Sequence, residues 1–268
     1  MFIKDLKGHS GCSISLNIEN SGKRFVRKIS SSNNYNNRLI DQYKKQKKFK
    51  NTKILAPEVL GSGYIEDLFY FDMEFVKGRC LHEFILRNDI DSIIKIFDDI
   101  EIFLCKESQD IVDISGHVER KIESMLDKVD IREYGKYFDY IMSSPLKSTS
   151  STDICHGDLT FENMIVSQGN LYFIDFLDSY IDSRILDISK ILQDILYFWS
   201  WRDYSKKPIV KNISLLEKIE RMDLYVDNKH SINSIMILNM IRIIPYTNDK
   251  KIVQYLDNCL YHAISRDL

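Results

Sequence analysis

Hydrophobic positions change their spacing three times along the chain. Through roughly the first eighty residues they alternate with polar ones or run in short blocks: "FIKDL" (2–6), "SISLNI" (13–18), "KRFVRKIS" (23–30) and the aromatic run inside "APEVLGSGYIEDLFYFDMEFV" (56–76). Short blocks of this kind, separated by turn residues such as Asn20-Ser21-Gly22, predict β strands. One segment in this region, "RLIDQYKKQKKF" (38–49), has neither Gly nor Pro and predicts a helix. After "KGRC" (77–80) the spacing becomes three and four, as in "LHEFILRNDIDSIIKIFDDIEIFL", and predicts helices from Leu81 to about Glu133. Period two returns briefly around residue 160, with a strand at "DIC" (153–155) and a hairpin in "NMIVSQGNLYFIDF" (163–176) turning at Gly169-Asn170. Helical spacing then fills the remainder. The pattern predicts an α+β architecture: a small β-rich N-terminal lobe over 1–78, a hinge near 74–79, and a larger, mainly helical lobe over 79–268.

Composition narrows the function classes. The chain has 268 residues, 44% hydrophobic and 28% charged, and 37 basic residues against 39 acidic ones leave a formal charge of −2. No global field attracts nucleic acid or an anionic membrane. The five cysteines (Cys12, Cys80, Cys105, Cys155, Cys259) never form a CxxC pair, so reduced thiols in a cytoplasmic protein are expected rather than a disulfide frame or zinc site. The most apolar stretch, "SINSIMILNMIRIIPY" (231–246), is interrupted by Asn239 and Arg242. It falls short of a membrane span and predicts a buried core helix.

The two-strand insertion around residue 160 carries the polar motif and with it the chemistry. "HGDLTFENMIV" (156–166) sets Asp158 in a tight turn that Gly157 permits, with Asn163 five residues on. Twelve residues later, "FIDF" ends an apolar strand on Asp175. A carboxylate for proton abstraction, beside an amide and a second carboxylate, suits a base next to a hard cation that prefers oxygen ligands. Each residue alone is commonplace as a turn former or surface acid; the ordered set is not.

This set resembles the catalytic loop and metal-binding segment of protein-kinase-like enzymes. With His-Gly-Asp in place of His-Arg-Asp, and Thr160 where protein kinases carry Lys, it is similar to the aminoglycoside phosphotransferase and choline kinase family of small-molecule kinases. Phe161 stands where that family often has Pro. The resemblance implies Asp158 as catalytic base, with Asn163 and Asp175 holding Mg²⁺. It implies Lys28 of "FVRK" at the ATP phosphates, Val26 against adenine, and a phosphate-covering loop with Gly8 and Gly11 in "KGHSGCS". The hinge "FDMEFVKG" (71–78) implies adenine contacts around Glu74 to Val76, with Met73 behind the pocket. Asp187 in "SRILDISKIL" is expected to support the catalytic loop, and Asp178 is a further candidate contact. The family's Glu that pairs with the Lys is absent: the helix offers Asp41, Gln42 and Gln46, of which Gln42 is expected to stand in.

The implied activity is transfer of the ATP γ-phosphoryl group, with Mg²⁺, to a hydroxyl of a small molecule. "LYFWSWRDYSKK" supplies Tyr197, Trp199, Trp201, Arg202 and Tyr204, either as an aromatic cage for choline or ethanolamine, as stacking faces for a sugar, or as a core helix. The alternative class is a catalytically silent nucleotide-binding scaffold. A protein kinase is disfavoured by Gly157, Thr160 and the lack of an "APE" segment.

Overall fold

The computed structural model describes residues 1–6, 12–106, 110–152 and 155–265. Gly8 and Gly11 lie outside them, as do Asp153 and Ile154 of the expected "DIC" strand. The chain forms two compact units, residues 1–103 with 162–178, and 104–161 with 179–268.

The first unit is built on the predicted strands. β1 (Phe2–Asp5), β2 (Cys12–Ile18) and β3 (Arg24–Ser30) are followed by helix α1 (Asn36–Lys48), β4 (Ile54–Leu55), β5 (Val59–Ile65) and β6 (Leu68–Glu74). Five of these strands make an antiparallel sheet in the order β1-β2-β3-β6-β5. Its inner face packs Leu39 of α1 on Phe69, Phe71 and Met73 of β6, with Val26 and Tyr43 alongside. That is the alternation of "LFYFDME" translated into burial, odd positions one way and even the other. β7 (Arg79–Cys80), α2 (Leu81–Arg87) and α3 (Ile90–Leu104) follow.

A second unit begins with β8 (Ile111–Val112), α4 (Ile114–Glu123), α5 (Ile131–Ser143) and β9 (Thr149–Ser150), β8 pairing with β9. The chain then returns to the first unit for the hairpin β10 (Met164–Ser167) and β11 (Asn170–Phe173). This hairpin joins the two-residue strands in a four-stranded sheet, β4-β11-β10-β7, above which Phe49, Phe103, Phe173 and Phe176 cluster with ring centroids 5.0–6.0 Å apart. Its turn is Gln168-Gly169 rather than Gly169-Asn170. Both turn residues have positive φ (50° and 80°), as a two-residue hairpin turn compatible with strand twist requires, and Asn170 already pairs with Ser167.

The helices α6 (Arg184–Tyr197), α7 (Ile209–Glu220), α8 (Asp223–Ile241, kinked at Asn228) and α9 (Lys250–Ser265) complete the second unit. α6 packs along α8, and α6 and the second half of α8 are buried nearly all round. The apolar stretch that sequence assigns to the core is the second half of α8, where Ile235, Ile237, Leu238, Met240 and Ile241 are fully buried. Each such side chain contributes about 1.5–3 kcal/mol by leaving water. Among the described residues no helix is long and apolar enough to cross a membrane.

Candidate active site

In the first unit the site grows from strand β3. Its period of two puts Val26 and Lys28 on one face, toward α1. Lys28 is 2% exposed, so its ammonium needs acceptors. It finds two: Oε1 of Gln42 on α1 at 2.8 Å, and the carboxylate of Asp175 just past β11. Asp41 is exposed and pairs with Lys44, while Gln46 bonds the Pro57 carbonyl at 2.9 Å. Of the three polar candidates on α1, Gln42 is therefore the one that meets Lys28.

Asp175 has left-handed backbone (φ 60°), a conformation that costs a non-glycine residue about 1 kcal/mol and that gathers at functional sites. Asn163 closes a single 3₁₀ turn before β10, and its carbonyl accepts the N–H of Ile174 at 3.0 Å. That bond ties the loop carrying Asn163 to the residue preceding Asp175. Asn163 and the partly exposed Asp175, carried on segments tied by this backbone bond, offer hard oxygen donors of the kind that Mg²⁺ prefers. Asp178 is exposed.

At the hinge, Met73 is buried in the β6 cluster and accepts a contact from Gln46 Nε2 at 3.6 Å. The N–H of Glu74 donates to the Glu58 carbonyl at 2.8 Å, so that amide is engaged within the unit. Val76 lies half-buried beyond the end of β6.

In the second unit, described by itself, the segment from His156 to Phe161 is organised by one face of α6. Asp187, Lys190 and Asp194 stand at i, i+3 and i+7, the spacing of a single helix stripe. Asp187 is fully buried and accepts the N–H groups of His156 and Gly157, each at 3.0 Å, with Arg184 at 3.6 Å. Gly157 has φ 87°, which its lack of a side chain permits. Lys190 Nζ lies 3.0 Å from Asp158 Oδ1. Asp194 caps the end of the loop, accepting the N–H of Phe161. One helix face thus holds every turn of the segment from His156 to Phe161.

Burial pushes the Asp158 carboxyl upward, but Lys190, His156 and Arg242 together outweigh it and hold the group below the ordinary carboxylate range. Asp158 is consequently ionised at neutral pH, as a proton acceptor must be. Sequence reasoning found Asp158 and Asp187 and missed Lys190 and Asp194. The available signal was charge at helical spacing on an otherwise apolar helix.

The aromatic segment divides. Trp201 is fully buried, edge-on to Phe161 with centroids 5.6 Å apart, and is a core residue. The ring of Trp199 is covered by the guanidinium of Arg202 at 4.4 Å, and Tyr204 is exposed. One ring is thus interior, and another already holds a cation.

The fold is the protein-kinase-like one, and part of the chain also matches a family model. Residues 119–207 match the model of the phosphotransferase enzyme family, a stretch that contains the whole segment from His156 to Asp194. No curated protein sequence matches the chain. Among solved structures, the chain is similar to the GDP and kanamycin complex of the aminoglycoside phosphotransferase APH(2")-IIia, with a TM-score of 0.66 at 14% identity, covering 99% of this chain and 93% of that one. The ternary complex of APH(4)-Ia with ADP and hygromycin B gives 0.65 at 14% identity over 99% and 93%. Choline kinase LicA from Streptococcus pneumoniae gives 0.59 at 14% identity over 98% and 93%. At these identities the likeness is one of fold, and it agrees with the α+β, kinase-like expectation.

Proposed function

We propose that this protein transfers the γ-phosphoryl group of ATP, with Mg²⁺, to a hydroxyl of a small molecule. The observation that carries the reading is Lys28, a buried lysine held between Gln42 and Asp175. A lysine so placed is preorganised to turn its ammonium toward nucleotide phosphates, with the carboxylate that would hold the metal at its side. Gln42 braces Lys28 as a neutral acceptor while Asp175 supplies the ion pair, so the missing Glu does not favour a silent scaffold.

Each residue then has a definite task. Lys28 draws charge from the phosphates. Asn163 and Asp175 would hold Mg²⁺, which when bound neutralises charge developing on the transferred group. Asp158, ionised and fixed by Lys190, orients the acceptor hydroxyl and takes its proton as the new O–P bond forms and the bond to the ADP oxygen breaks. Asp187 acts through the loop backbone, keeping His156 and Gly157 where they hold Asp158.

Incubation with ATP, Mg²⁺ and a panel of small alcohols, read as acceptor-dependent ADP release, tests the activity. Acceptor-dependent release that disappears on removing Mg²⁺ is expected. A folded protein that binds nucleotide yet releases no ADP with any alcohol would return the scaffold alternative.

A further inference from the structure

Helix α8 supplies much of the apolar core of the second unit, yet its last turn carries Asn239, buried, with Arg242 just beyond. The reading above assigns neither. Asn239 Nδ2 donates to Ser189 Oγ on α6 at 3.0 Å, and Ser189 in turn donates to the Leu186 carbonyl at 2.6 Å. The amide oxygen of Asn239 accepts Arg242 Nη1 at 3.0 Å and the Tyr180 hydroxyl at 3.4 Å. The guanidinium carbon sits 4.8 Å from the centroid of the Tyr180 ring, and Lys121 Nζ lies 5.9 Å from the same centroid. A buried polar relay therefore fixes the half-buried guanidinium from two sides with neutral groups.

The contrast with Arg184 is informative. Arg184, also on this unit, has the carboxylate of Asp187 at 3.6 Å. Among the described residues no carboxylate forms an ion pair with Arg242. Its hydrogen bonds run instead through Asn239 to Ser189 on α6, the residue before Lys190, whose Nζ lies 3.0 Å from Asp158, and its charge favours the ionised form of Asp158. A guanidinium presents five donors, and a rigid one tied to neutral acceptors is positioned without being neutralised. Lys190 already pairs with Asp158, so Arg242 is a second cation acting on this carboxylate. A cation held by neutral groups attracts an acidic acceptor rather than an ammonium-bearing one.

We propose that Arg242, fixed by Asn239 and Tyr180 near Asp158, is an anion subsite that takes a phosphate or carboxylate of the acceptor, which is thus an acidic alcohol. The assignment rests on Asp158 as the base facing the acceptor. The guanidinium fork suits a bidentate grip on either anion, and the grip sets which hydroxyl reaches Asp158. The phosphoryl group in transfer is the other possible source of negative charge, and the two sources respond differently to mutation.

Two measurements on the full chain test this. In nucleotide-free protein, inorganic phosphate is the probe. Its stabilising thermal shift should persist in Lys28→Met and vanish in Arg242→Gln, with Arg242→Lys intermediate because the charge remains and the fork is lost. A shift lost in Lys28→Met but kept in Arg242→Gln, or no shift at all, overturns the proposal. In turnover with ATP and Mg²⁺, glycerate or glycerol 3-phosphate should outperform glycerol and ethanolamine. Arg242→Gln should raise the KM for the acidic acceptor about ten- to hundredfold, with the KM for ATP unchanged. An equal fall in kcat with acidic and neutral acceptors would assign Arg242 to the transferred phosphoryl group instead, and overturn the proposal. If Arg242-dependent phosphate binding is found without turnover of any acceptor, the kinase reading fails while the anion subsite stands.

Discussion

Lys28 gives an ammonium hydrogen to the amide oxygen of Gln42 at 2.8 Å, on a helix where the kinase-like family places a glutamate. The ammonium keeps Asp175 as its ionic partner and uses Gln42 as a neutral brace. Gln42→Ala should leave the buried ammonium one acceptor short, costing about 1–3 kcal/mol and raising the KM for ATP. Gln42→Glu restores an acceptor at the same reach and should return the KM toward wild type. Calorimetry and ATP kinetics on both variants check this; an unchanged KM in Gln42→Ala would remove the brace from the mechanism.

Asp158→Asn should bind ATP–Mg²⁺ with nearly unchanged affinity, because Lys28, Asn163 and Asp175 are untouched. Turnover should fall by roughly two to four orders of magnitude, the scale of general-base catalysis. Nucleotide affinity, Tm and turnover are to be measured on one preparation. A lower Tm with activity tracking unfolding would mark Asp158 as structural.

The cation at 3.0 Å from Asp158 makes a prediction in pH. The folded-state pKa of Asp158 is depressed, so its stabilising contribution is present above the ordinary carboxylate pKa and is lost as pH falls through the depressed value. Burial is the largest single influence and acts upward, so removing Lys190 should reverse the sign. In Lys190→Met the acid limb of the kcat profile should move to higher pH, while Lys190→Arg should keep it low. Identical limbs in wild type and Lys190→Met would refute the coupling.

Asp187 has no exposure, and both of its oxygens are committed to the loop backbone. Asp187→Ala leaves two buried N–H groups and Arg184 without their acceptor and should cost about 3–5 kcal/mol. Asp187→Asn keeps one acceptor oxygen and should fall between. Urea denaturation with constant m-value checks the ordering.

Nucleotide should raise the Tm clearly more with Mg²⁺ than without it, and Asp175→Asn should abolish the difference. The same variant takes the ionic partner from Lys28 and leaves it only neutral acceptors, so the shift by nucleotide without metal should also be altered. Equal shifts with and without Mg²⁺ in the wild type would exclude Asn163 and Asp175 as its ligands.

What lay legible in the sequence were features written by local rules. The alternation of "KRFVRKIS" and "LFYFDME" places Lys28 and Met73 inward wherever the strands go, and the hairpin after "HGD" follows from two short apolar blocks around a Gly. Its turn was legible only to within one residue, since Gln168 reaches positive φ beside Gly169. The two-residue strands β4, β7, β8 and β9 were not legible, because a block that short has no period; partners alone define it.

The sequence by itself determined the ordered set Lys28, Asp158, Asn163 and Asp175, together with the turn chemistry that Gly157 permits. Those are matters of residue type and spacing within a few positions. Only the tertiary structure decided that Gln42 rather than Asp41 or Gln46 meets Lys28, that Lys190 meets Asp158, and that Asn239 holds Arg242 beside Tyr180. The physical reason is that each partnership joins groups from separate elements or from one of several faces. A buried charge accepts whichever partner the packing delivers, and packing is set by the apolar surfaces of α1, α6 and α8, not by the polar residues that they carry.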